Sequence, residues 1–109
     1  MGVILIGVIM IGSKEEWDKL TELKIANTND SNEGQIYHVK KVGFVRHKSK
    51  EAIEILPLVH LKNGQICKLP QELSGWAYNS VALAHGGTNV YPANVEFGIQ
   101  DNEYYAEII

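Results

Sequence analysis

Apolar positions along this chain fall into a few runs, and the spacing inside each run predicts its conformation. Residues 1–12 open with Gly2-Val3-Ile4-Leu5-Ile6-Gly7-Val8-Ile9-Met10-Ile11 and show no alternation. Its β-branched residues favour strand, and an unbroken apolar strand is one covered on both faces. The stretch is well short of the roughly 20 residues that a spanning helix needs. It also lacks the basic residues that precede the apolar core of a secretory signal, so the expectation is a cytoplasmic protein with no membrane contact.

A different period follows. Ser13-Lys14-Glu15-Glu16 has the capping-box pattern, in which the Ser hydroxyl and the Glu carboxylate each satisfy a backbone N–H that the helix leaves free. Such a cap is worth about 1 kcal/mol. Trp17, Leu20 and Leu23 then recur at helical spacing, which predicts a helix over 14–25. Residues 26–35 are polar and read as a loop, with Asn29-Asp30-Ser31 forming a glycosylation sequon in the formal sense only.

Strand patterns dominate the middle of the chain. Residues 36–47 and 52–61 are β-rich, and Ile53, Ile55, Val59 and Leu61 share one face of the second run. Pro57 lacks a backbone donor and so predicts an edge position or a bulge. Residues 48–51 connect the two strands. Asn63-Gly64 tolerates the positive φ of a type I′ turn and predicts a hairpin into a strand over 65–69. Residues 76–85 fit two periods. Ala77, Val81 and Ala84 are spaced for a helix that Gly86-Gly87 would stop, while Val81, Leu83 and His85 also fit a strand; helix is favoured. A last hairpin is expected from 93–99 and 104–109 around Gln100-Asp101-Asn102-Glu103.

Taken in order, these elements predict one α+β domain over residues 1–109. Its mostly antiparallel sheet would have five to six strands, with an N-terminal β-α unit and one further short helix. A first strand covered on both faces needs more cover than the helices supply, so a homodimer is also expected.

Composition narrows the chemistry. The single cysteine, Cys67, cannot close an internal disulfide, and it excludes a Cys-rich zinc site. The histidines are His38, His47, His60 and His85; no two are three or four residues apart, so no helical metal clamp is present and neither metal nor cofactor is expected. Gly7-x4-Gly12-Ser13-Lys14 approaches a phosphate-loop spacing. It reverses the order of lysine and hydroxyl, however, and fills the loop with strand residues. No serine sits in a nucleophile-elbow pattern.

Charge changes the picture most. The net charge is only −3, yet residues 38–50 hold Lys40, Lys41, Arg46, Lys48 and Lys50 and no acid, while the other five cations face all 13 acids. After Lys68 no Lys or Arg occurs, though Glu72, Glu96, Asp101, Glu103 and Glu107 do. A basic β-ribbon of Lys40, Lys41, Arg46, His47, Lys48 and Lys50 would meet another protein, a phosphate-rich ligand or nucleic acid. The same lysines also serve to keep an exposed edge strand soluble. Trp76, Tyr78, Tyr91, Tyr104 and Tyr105 sit in the acidic part and suit either a protein interface or a core.

Three functions follow as expectations. The first is a small non-enzymatic binding module, inhibitor-, immunity- or adaptor-like, that uses the basic ribbon and the acidic aromatic end. The second is a small hydrolase acting on a phosphate-containing ligand, with His47 as its acid–base group between Arg46 and Lys48. The third is a structural subunit of a larger assembly.

Overall fold

A computed structural model describes residues 2–5, 13–28 and 33–109, with residues 2–5 described as backbone. The strands are β1 (Gly2–Leu5), β2 (Thr21–Glu22), β3 (Ala26–Asn27), β4 (Gln35–Lys48), β5 (Ile53–Leu61), β6 (Ile66–Lys68), β7 (Ala93–Gln100) and β8 (Glu103–Ile108). Helix α1 (Lys14–Asp18) follows β1, and a 3-10 turn (Gln71–Leu73) leads into α2 (Ser74–His85). The reach of the first strand to Gly12, the near phosphate-loop pattern and the sequon lie outside the described residues, as does the two-sided burial expected of β1.

The fold is α+β around one mixed sheet, ordered β2-β6-β5-β4-β7-β3, with β1 also on β4 and β8 also on β7. Five ladders are antiparallel; β2–β6 and β3–β7 are parallel. Among the described residues the sheet therefore has eight strands rather than five to six. The difference comes from the two-residue strands β2 and β3, which arise where a helix end and a loop are expected.

Helix α1 starts at the Ser13 cap, as expected. The Ser13 hydroxyl accepts from the Glu16 backbone N–H at 3.1 Å, and Ser13 Oγ donates to the Glu16 carboxylate at 3.2 Å. It ends at Asp18, far short of residue 25. Beyond it, the Leu23 N–H donates to Lys68 O at 3.1 Å, so the chain leaves the helix to run beside β6.

Strand β4 organises the sheet. It pairs with β7 over Gln35–Val39 and with β1 over Gly43–Arg46, while β5 runs along its other edge. One residue, Lys40, is extra: Val39 faces Leu61 and Lys41 faces His60, so the register slips between them. This bulge restores the phase that places Val39, Val42 and Phe44 on one face. The break is thus in β4 and not at Pro57. Pro57 instead lies where β6 has ended, and its carbonyl accepts from Leu69 N at 2.9 Å and from the Trp17 indole N–H at 2.8 Å.

The two sheet faces carry separate cores. The inner face gathers Val39, Val42, Val59, Leu61, Cys67, Val95 and Phe97 beneath Leu73 and Ala77. The opposite face gathers Val45, Leu56 and Leu58 under Trp17. The sheet curls, so that Tyr104 of β8 and the β2–β6 edge line one cleft.

The turns exchange roles relative to expectation. At 62–64 only Gly64 has positive φ (+91°), and Gly64 N donates to Leu61 O at 3.0 Å, which makes a type I turn closed by a glycine bulge. The type I′ turn is instead at Asp101 (φ 53°) and Asn102 (φ 66°), between β7 and β8.

Candidate functional site

Strand alternation and the bulge decide where the basic residues go. Lys41 lies opposite His60, and Lys40 is the bulged residue beside it, so both ammonium groups adjoin one imidazole. His60 is half-buried, and its Nδ1 has no hydrogen-bond partner among the described residues. Burial, followed by the charges of Lys40 and Lys41, pushes the His60 pKa below its usual range. This imidazole belongs to the patch although it lies outside the ribbon in sequence. The sequence could have shown it only through the register, which the bulge hides.

The rest of the ribbon is spread out. Arg46 and Lys48 lie opposite Ile55 and Ile53 on the other face, both exposed, and exposed Lys50 sits beyond the strand end. His47 shares the face of Lys41 and His60 but lies opposite Glu54, six ladder steps and about 20 Å away. Its Nδ1 is buried without a partner among the described residues. An acid–base role for His47 needs another polar group within hydrogen-bond reach, and the described residues supply none at that atom. His38 makes its own pair, Nδ1 to Asn94 Oδ1 at 2.9 Å.

No three His, Cys, Asp or Glu side chains among the described residues come together as a metal-binding group. Cys67 is buried, and burial pushes its thiol pKa up, away from the reactive thiolate. A cleft of about 800 Å³, which the sequence does not signal, opens between α1, β2 and the 3-10 turn. Trp17, Glu22, Lys24, Lys68, Glu72 and Tyr104 line it, with both charge signs present. Lys68 is already engaged there, 5.1 Å over the Trp17 ring and donating to Asp18 O at 3.0 Å.

The five aromatics do not form one surface. Trp76, Tyr91 and Tyr104 pack against the inner core, with Trp76 edge-on to Phe97 at 5.5 Å. Tyr78 is half exposed on α2 and stacks 5.5 Å from Phe44. Tyr105 is on the opposite face, where its ring covers Gly98 and its hydroxyl donates to Glu96 at 2.5 Å. A Cβ on Gly98 would lie 2.5 Å from that ring, so glycine is what admits it.

The hydrogen bond to Glu96, with burial and the nearby carboxylates, pushes the Tyr105 pKa from 10.0 up to about 12. A raised folded-state pKa gives stability that is complete below the unfolded value and is lost as pH rises through the folded one. The fold should therefore weaken between pH 10 and about 12, and Tyr105→Phe should flatten that part of the profile in urea titrations. An equally steep profile in the variant would assign the alkaline loss to another group.

Compared with protein-family models, with curated proteins and with solved structures, the chain finds no match in any of the three.

Proposed function

We propose that this domain is a non-enzymatic binding module that docks an acidic surface of another protein on the patch of Lys40, Lys41 and His60. The observation that supports this reading is uncompensated charge. Among the described residues the one ion pair is Lys14–Asp18, at 3.1 Å, and no cation of residues 38–50 has a carboxylate within that reach. Cations left without internal partners steer and hold an anionic surface. The patch is local, and the same sheet face carries Glu96 and Glu107 across β7 and β8. A long uniform polyanion such as nucleic acid would run onto those carboxylates, whereas a compact acidic patch would not.

The test uses two probes, a Glu-rich peptide and a single-stranded oligonucleotide, titrated into the wild type and into a Lys40→Glu/Lys41→Glu variant. The wild type should bind the peptide, more weakly as salt rises, and the variant should lose roughly tenfold in affinity. Because an anion favours the protonated imidazole, binding should also tighten as pH falls below 6.5, and His60→Gln should remove that dependence. No binding of the peptide, or tighter binding of the oligonucleotide, would overturn the reading.

A further inference from the structure

We infer that β8 is a self-association edge, on which a second copy of this chain adds its own β8 antiparallel, with Ala106 facing Ala106. The inference is independent of the basic patch.

Hydrogen-bond parity comes first. The Ile109 N–H donates to Asn94 O at 3.0 Å, which makes Ile109 and Asn94 a hydrogen-bonded pair. In an antiparallel ladder such pairs alternate. Counting back along the unbroken β7–β8 register, Glu107, Tyr105 and Glu103 turn their backbone groups toward β7. Tyr104, Ala106 and Ile108 therefore turn theirs outward. Among the described residues β8 has β7 as its one strand neighbour, and no backbone partner meets these outward groups.

Several of the usual guards of an open edge are missing, although Glu103 and Glu107 place charge on it. Strand β8 contains no Pro and no Lys, and no bulge interrupts its six ladder pairs. Exposed apolar area gathers at its end, where Ile108 is 44% and Ile109 58% accessible.

Register then selects the partner. Three outward residues spaced by two are self-complementary about a twofold axis through Ala106. In that arrangement Tyr104 of each copy faces Ile108 of the other on the inner face, an aromatic–β-branched pair. On the opposite face Glu107 meets Tyr105, and Glu103 meets Ile109. No carboxylate faces a carboxylate, whereas a parallel in-register pairing would stack Glu on Glu. The carboxylates still surround the axis, so added salt should strengthen the dimer, opposite to its effect on the basic patch. Two short strands bury less than the roughly 1,200 Å² of a standard interface, so the association should depend on concentration.

The experiment measures mass by sedimentation equilibrium over a concentration series, with amide hydrogen exchange on the same samples. Mass should climb toward twice that of one chain, and exchange at Tyr104, Ala106 and Ile108 should slow as it does so. Ala106→Pro removes only an outward donor and should stay monomeric with the wild-type circular dichroism spectrum. Ile108→Lys, which leaves the backbone untouched, should weaken the dimer in the same way if the proline variant fails to fold. A monomer at every concentration would overturn the inference, as would a dimer whose β8 amides exchange unchanged or one that survives both substitutions.

Discussion

Replacing Trp17 by alanine should cost about 3–5 kcal/mol, a large share of the roughly 5–15 kcal/mol that holds a domain of this size. Trp17 is the one large side chain of α1 that is buried, at 8% exposure, and it lies over Val45, Leu56 and Leu58. Its indole N–H also satisfies Pro57 O, and Lys68 rests over its ring. Alanine would remove the cover of the smaller core and leave a cavity that a five-residue helix cannot collapse to fill. The urea midpoint should fall sharply with an unchanged slope. Trp17→Phe keeps the ring but not the donor and should cost only about 1 kcal/mol, because Pro57 O retains Leu69 N. An alanine variant within 1 kcal/mol of wild type would show that α1 does not seal this face.

Phe97→Ala should be at least as damaging. Phe97 is fully buried in the larger core, between Tyr37 at 6.1 Å and Trp76 at 5.5 Å, both edge-on. Removing it forfeits the burial and both ring contacts, again about 3–5 kcal/mol with the aromatic geometry pushing toward the upper end. Near-ultraviolet circular dichroism should lose intensity along with stability, because Trp76 and Tyr37 lose their fixed neighbour. Phe97→Leu should retain most of that stability and little of the spectral change. An alanine variant with wild-type stability and spectrum would place the core elsewhere.

Much of the sheet was legible because its signals are local. The β-rich composition of residues 36–47 and the one-faced apolar pattern of 52–61 locate β4 and β5 within a residue or two, and Ser13 marks the start of α1. The end of α1 was not legible. Trp17, Leu20 and Leu23 look like one helical stripe, yet Trp17 and Leu20 pack on one side of the sheet and Leu23 on the other. Spacing cannot distinguish one face of a helix from two faces of a sheet when the chain crosses the edge between them. The two-residue strands β2 and β3 exist through their parallel partners and leave no period of their own.

The candidate site shows the same division. Lys40 and Lys41 were readable as charge, but their grouping with His60 depends on a pairing between strands. The aromatic residues of the acidic end were readable as types, while the alternation of β8 sends Tyr104 inward and Tyr105 to the other face.

The bulge also separates chain length from core registry. Val39 and Val42 lie on one face with two residues between them, an interval that a regular strand would place on opposite faces. Without Lys40 the sequence Val39-Lys41-Val42 alternates correctly by itself. Lys40 is thus a residue the core does not count, and it marks a joint where this strand can lengthen or shorten by one residue, and gain or lose one charge, while every buried side chain keeps its neighbours.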